Sequence, residues 1–222
     1  MSHSNQSYST EKTQKDTSQL RQQKLRESED RWQLVLRANN DGIWDWDLET
    51  DVLFFSTRWQ AMLGYEDKEL DNHINTWKNL LHPDDRERAI EVLQEYLEKK
   101  IPDYSVEFRL RCQDGTYKWI LSRGQALWDK SGKPRRMAGS HTDISDRKQE
   151  QTLLRSLIDC IPDAIFYKNQ GGIYLACNNA FEEFVGRKAT EIIGLTDFDI
   201  FAHPAASCYR EQECLMMAQA TS

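Results

Sequence analysis

Paired carboxylates are the residues of this chain whose type and spacing most suggest chemistry. Asp84 and Asp85 are adjacent, and Asp45 and Asp47 are two positions apart. Such pairs can bind a cation or serve as general acid and general base. However, Pro83 followed by two carboxylates is typical of a helix start, where the helix dipole favours negative charge, and Asp45 and Asp47 fit a strand edge. We therefore predict no catalytic residue and no metal site.

Cysteines are the other side chains that could react, and there are five of them. Their odd number and the absence of a C-x-x-C pair predict neither a disulfide framework nor a zinc site. Four could be redox-active, but no cationic motif would activate them, so inert or buried thiols are preferred. No phosphate loop, H-E-x-x-H motif or nucleophile elbow occurs, so we predict that this chain is not an enzyme. The four thiols are Cys160, Cys177, Cys208 and Cys214.

The composition indicates a folded, acidic protein. The 222 residues include seven Trp, eight Tyr and eight Phe, and the formal net charge is -7. Phosphate binding needs clustered Lys and Arg, which occur only in short groups, so no nucleic-acid partner is predicted. No apolar run approaches the roughly 18 residues that span a bilayer, and the polar start does not resemble a signal peptide. These features predict a cytoplasmic location.

A stretch near the start of the chain recurs further along. Residues 41–70 align with residues 163–192 without a gap, and the matches fall on apolar, turn and glycine positions while the charges differ. The copies therefore share the positions of core residues and turns. This predicts two sensing or docking modules whose cavities have different linings. Matching pairs are Ile43 with Ile165, Trp44 with Phe166, Leu53 with Leu175, Trp59 with Phe181 and Gly64 with Gly186; differing pairs are Trp46 with Lys168, Phe55 with Cys177 and Tyr65 with Arg187.

Apolar periodicity predicts the elements that would position these residues. Residues 1–18 are polar and predict a disordered tail, and residues 19–40 predict an amphipathic helix that packs on its own domain or on a partner chain. The first copy predicts an α+β domain, with a five-stranded antiparallel sheet, helices inserted after the second strand, and a pocket between them. Its strands are predicted at 43–48, 52–55, 104–112, 117–127 and a last one ending at 144, and its helices at 57–63, 68–70, 76–81 and 83–99.

Five motifs mark this domain, in an order that identifies a family. They are GIWDWD at 42–47, LGY at 63–65, LHPDD at 81–85, Arg109 followed by DGTYKW at 114–119, and TDISDRK at 142–148. The order resembles a PAS domain with its C-terminal PAC motif, over about residues 29–148. The resemblance implies a PAS/PAC domain at 41–148 and a partial second PAS domain at 162–222, where GLTDFDIF at 194–201 is similar to a related PAS subtype.

The second copy has fewer predicted elements than the first. Only a helix-length segment follows His203, whereas a helix and three strands follow His82. Since a half sheet would expose apolar edges and faces, we expect the chain to be the N-terminal part of a longer protein, cut inside its second PAS domain. If Ser222 is the native end, the half-domain would borrow strands from a partner or remain loose.

The resemblance also implies where a ligand would bind, because PAS domains sense through the cavity between sheet and helices. Apolar side chains of the first copy are the candidates, although such side chains are more often plain core, because burying each one stabilises the fold without a ligand. The candidates for the ligand pocket are Trp44, Trp46, Phe54, Trp59, Met62, Trp77, Phe108, Trp119 and Met137.

Two cofactors are known among PAS domains, and the sequence favours neither. Haem would need an axial histidine, for which His82 and His203 are the repeated candidates, but a helix start explains a His-Pro pair followed by acidic residues. A flavin photosensor would need a reactive cysteine in the short helices, and residues 70–81 contain none. We therefore expect no cofactor.

The sequence marks the segment that would transmit a signal more clearly than it marks the pocket that would receive one. Residues 142–145 resemble the Asp-Ile-Thr signature of the family with Ser145 in place of Thr, and Asp143 or Ser145 can cap the helix predicted at 145–161. A homodimer through the N-terminal and linker helices is expected, with a monomeric spacer helix as the alternative. Signal output is assigned to Asp143, Ile144 and Ser145, and the linker seam to Ile144, Arg147, Gln151, Leu154, Ile158 and Ile161.

These features together predict the sensory region of a bacterial-type signal transducer. Binding of a ligand or partner would bias the register of the linker helix and so a downstream effector in the same chain. The resemblance favours a sensor histidine kinase as the parent protein, with a diguanylate cyclase as the alternative. A ligand-free PAS domain that serves only as a dimerisation platform is the other hypothesis.

Overall fold

The computed structural model describes residues 41–220, together with Gln23 and Leu34. The tail predicted at 1–18 and most of the helix predicted at 19–40 lie outside the described residues. The chain divides into two compact units, and the boundary between them in the sequence falls between Asp146 and Arg147. No helix in the described part of the chain is both long enough and apolar enough to cross a membrane.

The first unit is a five-stranded antiparallel sheet with three helices inserted between its second and third strands. The strand order across the sheet is β2-β1-β5-β4-β3, so the first and last strands in sequence are neighbours at the centre. This arrangement confirms the predicted α+β fold. The elements are β1 (Gly42–Asp47), β2 (Leu53–Phe55), α1 (Thr57–Met62), α2 (Ile74–Leu80), α3 (Pro83–Leu97), β3 (Tyr104–Arg111), β4 (Tyr117–Trp128) and β5 (Pro134–Asp143).

One predicted helix is wrong. The segment at 68–70 forms a turn, because Lys68 has a φ of 67°, in the left-handed region that a helix cannot contain. The next helix, α2, begins at Ile74, where His73 Nδ1 accepts a hydrogen bond from the Asn75 amide. The apolar spacing located α2 only to within two residues at its start.

A glycine pair lets a tryptophan lie across the inner face of the sheet. Gly124 of β4 and Gly139 of β5 are paired directly, and Gly139 is paired in turn with Trp44 of β1. A Cβ on Gly124 would stand 2.6 Å from Trp44 Cη2, and one on Gly139 2.5 Å from Trp44 Cζ2. The indole therefore occupies the space of two missing side chains and meets Tyr104 of β3 edge-on, with ring centroids 6.2 Å apart.

Asp84 and Asp85 begin α3, as predicted, but they also hold that helix to the sheet. The guanidinium of Arg109 on β3 donates to both oxygens of Asp85, at 2.8 and 3.0 Å, and to Asp84 at 3.3 Å. The hydrogen bonds from Arg109 hold the pKa of Asp85 below its usual value. The two carboxylates thus have structural partners, and so does Asp45, which pairs with Arg136.

The second unit contains the linker helix from Arg147 onward and a two-stranded antiparallel sheet. Its core is small and consists of Tyr174, Cys177, Phe181 and Ile192. The elements are α4 (Ser145–Asp159), β6 (Phe166–Lys168), β7 (Tyr174–Cys177), α5 (Asn179–Val185), α6 (Ala189–Ile192), α7 (Asp197–Ile200) and α8 (His203–Ala220).

The two units repeat the same local hydrogen bonds, as their sequence alignment predicts. In the first, Ser56 Oγ accepts from the amides of Ile43 and Trp59. In the second, Asn178 Oδ1 accepts from the amides of the aligned residues, Ile165 and Phe181. In each unit one capping side chain therefore begins a helix and fixes the start of the preceding hairpin. The Asn178 amide group also donates to the Ile158, Ile161 and Asp163 carbonyls, which fixes the end of α4.

Candidate functional site

A small cavity lies between the inner face of the first sheet and helices α2 and α3. Its volume is about 20 Å³, enough for about one ordered water molecule. None of the lining side chains carries a formal charge except His141 when protonated. The lining consists of Trp44, Trp46, Leu53, Phe55, Ile74, Trp77, Leu93, Tyr104, Ser122 and His141.

Three tryptophans in this lining have hydrogen-bond donors without an acceptor. The indole Nε1–H groups of Trp44, Trp46 and Trp77 are buried and make no hydrogen bond. An unsatisfied buried donor lowers the stability of the folded state by about 1–3 kcal/mol, and three such donors belong to residues around this one cavity. These three residues are the pocket candidates that the structure brings together.

His141 is the site residue that the sequence analysis missed. It lies on β5 with only 3% of its surface exposed, and burial lowers the pKa of its ring from 6.5 to about 3. Its Nδ1 accepts a 2.7 Å hydrogen bond from Trp59 Nε1, so the neutral ring carries its proton on Nε2. The signal that could have found it is the period of two along β5, which puts His141 on the same face as the buried Met137.

Two hydroxyl groups complete the polar part of the lining. Ser122 Oγ and Tyr104 Oη are 3.4 Å apart, a long hydrogen bond between buried groups. Burial raises the pKa of Tyr104 to about 12, so the phenol stays protonated at physiological pH. With His141 neutral as well, the cavity carries no charge near pH 7.

The remaining pocket candidates lie outside the cavity lining. Phe54 is wrong as a lining residue, because its position on β2 points away from the core and 51% of its surface is exposed. Trp119 is also wrong, since it lies on the outer face of β4, where the Arg109 guanidinium is 5.2 Å from its ring. Buried core positions that do not line the cavity are Trp59, Met62, Phe108 and Met137.

The histidines considered as haem ligands begin helices. His82 Nδ1 accepts from the Asp84 amide at the start of α3, and its ring packs edge-on against Tyr117. His203 is the first residue of α8 and is exposed. Neither histidine lines the cavity described above.

The start of α4 is tied to the end of the sheet by a compact set of polar contacts. Asp143 Oδ1 accepts from the Ser145 amide and Oδ2 pairs with Lys118 Nζ at 2.9 Å, while Ser145 Oγ accepts from the Trp119 amide. Burial pushes the pKa of Asp143 upward, but the hydrogen bonds from Ser145 and Lys118 outweigh it and the pKa is lowered. Ile144 is buried between them, at 6% exposure. The residues assigned to output thus join β4, β5 and α4.

The linker helix exposes an apolar stripe along its second half. No residue of α4 is buried. Its large apolar side chains are 40–60% exposed and follow a spacing of one and four, which puts them on one side. Three residues of the predicted seam, Leu154, Ile158 and Ile161, belong to this stripe, and Ile161 lies just beyond the end of α4. The other members of the stripe are Leu153 and Leu157.

A second cavity, of about 130 Å³, lies within the second unit. Lys168, which aligns with Trp46, donates to both oxygens of Asp197 at 2.7 and 2.8 Å, and Tyr174 Oη donates to the same carboxylate. This ion pair is almost fully buried, and several aromatic rings complete the lining. The two cavities therefore differ in chemistry, the first uncharged and the second containing an ion pair.

Known proteins resemble this chain over both units. Two family models, both described as the PAS fold, match residues 52–141 and 158–222. A sensory box histidine kinase/response regulator from Burkholderia thailandensis, known as a crystal structure, is 40% identical with a TM-score of 0.52, covering 57% of this chain and 94% of that one.

Curated relatives are longer than this chain. Sensor protein FixL of Bradyrhizobium diazoefficiens is 30% identical over 160 residues, which are 69% of this chain and 31% of FixL. The probable diguanylate cyclase DgcE of Escherichia coli is 26% identical over 192 residues, 82% of this chain and 16% of DgcE. The chain thus spans less than a third of either relative. The five-stranded sheet, its inserted helices and these matches show that the chain belongs to the PAS family of sensory domains.

Proposed function

We propose that the first unit is a non-catalytic input domain in which binding of a ligand or partner changes the packing around its cavity and passes the signal to α4. The observation that carries this proposal is the position of β5. His141 lines the cavity, and two residues further along the same strand Asp143 caps α4. A change in packing around the cavity that shifts β5 would alter the contacts that begin the helix.

The parent protein is proposed to be a cytoplasmic sensor histidine kinase, in which α4 and the second unit lie between the input and the effector. The names of FixL and of the Burkholderia protein support a histidine kinase, and that of DgcE supports a diguanylate cyclase as the alternative. Either effector would lie in the same polypeptide. Residues 19–40 and the apolar stripe of α4 are the proposed homodimer contacts.

No resident prosthetic group is proposed for the first unit. A haem or a flavin needs a cavity of several hundred cubic ångströms, whereas this one has about 20 Å³. Its lining also lacks His82 and His203, the histidines considered as haem ligands. Haem reconstitution of the purified protein should give no Soret band that depends on either histidine.

The second candidate function is a dimerisation platform that binds no ligand. The stripe on α4 favours it, because contiguous apolar surface on a helix stabilises association with another helix. A protein that dimerises through α4 but shows no response to any change in the cavity would support this alternative.

The full-length protein separates the two functions by a double-mutant test. His141→Phe perturbs the cavity, and Asp143→Ala removes the cap of α4. If the cavity acts through the cap, His141→Phe should change effector output in the wild-type background and have little effect in the Asp143→Ala background. An equal change in both backgrounds would contradict the proposed route, and no change in either would favour the platform.

A further inference from the structure

The cavity of the second unit has walls made of aromatic rings. Six of its nine lining residues are Phe or Tyr, a seventh is Ala164, and its volume is about 130 Å³. Each of the six rings contacts at least one other, with centroids 5.0–6.2 Å apart, within the range that aromatic pairs prefer. The walls are therefore held in place by contacts among themselves. The six aromatic residues are Phe166, Tyr174, Phe181, Phe184, Phe201 and Tyr209.

The two remaining lining residues form an ion pair that restricts the charge of an occupant. Lys168 Nζ donates to both oxygens of Asp197, at 2.7 and 2.8 Å, and the two side chains are 7% and 2% exposed. A cationic ligand would have to compete with Lys168 for Asp197, and an anionic ligand with Asp197 for Lys168. Because breaking a buried ion pair is strongly unfavourable, both kinds of ligand are disfavoured. An uncharged ligand leaves the pair intact.

The volume of the cavity limits the size of the occupant. A cavity of about 150 Å³ lined by apolar side chains binds benzene. With about 130 Å³, the cavity of the second unit has room for one six-membered ring. Phe166, Phe184 and Tyr209 are 42%, 61% and 38% exposed, so the cavity opens to solvent beside these rings and a small substituent can project there.

The walls also favour one kind of ring over another. Aromatic rings gain from edge-to-face and offset-stacked contacts with one another, in addition to the gain from burying apolar area. A saturated ring of the same size would gain only from the burial. The lining therefore favours an aromatic occupant.

We infer that the cavity of the second unit binds a small uncharged molecule with one aromatic ring, of the size of benzene or toluene, packed against Phe166, Phe181 and Phe184. The pair of Lys168 and Asp197 forms the polar part of the wall and excludes charged ligands of the same shape. The inference goes beyond the proposed function, which concerns the first unit, and its test does not depend on signal transmission.

Three probes of matched shape test the charge of the ligand. Toluene is uncharged, benzoate is an anion and benzylammonium is a cation. Each is titrated into protein whose alanine methyl groups carry ¹³C, and the methyl signal of Ala164, a lining residue, is followed by NMR. The ring current of toluene should shift this signal in a saturable manner, and the two charged probes should bind about tenfold more weakly or worse.

A pair of competitors tests the preference for an aromatic ring. Benzene and cyclohexane have similar sizes and no charge, and each is added to the protein after toluene. Cyclohexane should displace toluene about 2- to 10-fold less effectively than benzene does, which is the factor expected for the lost ring contacts. Equal displacement by the two competitors would contradict the preference.

Matched variants assign the binding to the aromatic lining. Phe184→Ala removes a lining ring that is 61% exposed, so the fold is little affected. Phe198→Ala is the control, because Phe198 is similarly exposed, at 51%, and does not line the cavity. Phe184→Ala should weaken toluene binding by about 2- to 10-fold, and Phe198→Ala should leave it unchanged.

The inference is overturned if toluene gives no saturable shift of the Ala164 signal, or if a charged probe binds as tightly as toluene. Equal toluene affinity in the wild type and Phe184→Ala would also overturn it. All seven tryptophans belong to the first unit, so a response confined to tryptophan signals would place toluene outside the second unit and contradict the inference.

Discussion

Acid should destabilise the first unit through His141, by an amount that the structure allows us to work out. The pKa of the ring is lowered to about 3 by burial, against 6.5 for an exposed histidine. As the pH falls, the unfolded chain binds the proton first, so the stability that the neutral ring provides is complete above about pH 6.5 and is lost towards pH 3. Linkage with these two pKa values gives a loss of about 2 kcal/mol between about pH 8 and pH 5.

Urea unfolding followed by tryptophan fluorescence measures this loss in the first unit alone, because all seven tryptophans precede residue 147. The wild type and His141→Gln are compared at about pH 8 and pH 5. Glutamine can still accept from Trp59 but does not titrate, so the variant should lose about 2 kcal/mol less than the wild type over this range. Equal losses in the two proteins would refute the assignment of His141 as a buried neutral group.

Three further predictions concern the framework of the site, each measured by the same unfolding assay. Gly124→Ala should cost about 1–3 kcal/mol, because its Cβ would stand 2.6 Å from Trp44; a cost near zero would show that the indole can move. Asp143→Ala should cost about 1 kcal/mol through loss of the cap of α4, with faster amide exchange in the first turn of that helix; unchanged exchange would contradict this. Asp85→Asn should cost about 1–3 kcal/mol by weakening the pair with Arg109, and much more than Asp84→Asn, whose side chain is 73% exposed; equal effects would count against the pair.

The overall fold could be predicted because its signals are local. The alternation of apolar and polar residues at 104–111 predicted β3. Pro83 followed by two aspartates predicted the first residue of α3 correctly. The repeated hairpins could be aligned because their apolar, turn and glycine positions match, and in the structure Ser56 and Asn178 cap equivalent helices. The short helix predicted at 68–70 failed because Lys68 adopts a left-handed conformation, which side-chain periodicity does not reveal.

The lining of the cavity was only partly predictable, since a period of two cannot say which face of a strand is inward. Trp119 and Phe54 are aromatic but lie on the outer face of the first unit's sheet and hairpin, whereas His141 lies on the inner face. The segment that forms β5 contains few apolar residues, so its inward positions do not stand out. Gly124 and Gly139 define the floor of the site only once the strands are paired, because neither has a side chain to signal it.

Amide hydrogen exchange at the start of α4 tests the central claim most directly, namely that the cavity and the output helix are coupled through β5. His141→Phe changes the inner face of β5, and Ser140→Val changes the outer face one residue away. With exchange in α3 as the internal reference for overall stability, His141→Phe should alter the exchange of residues 145–148 and Ser140→Val should not. Equal exchange of these amides in wild type and His141→Phe, or equal changes in both variants, would contradict the claim.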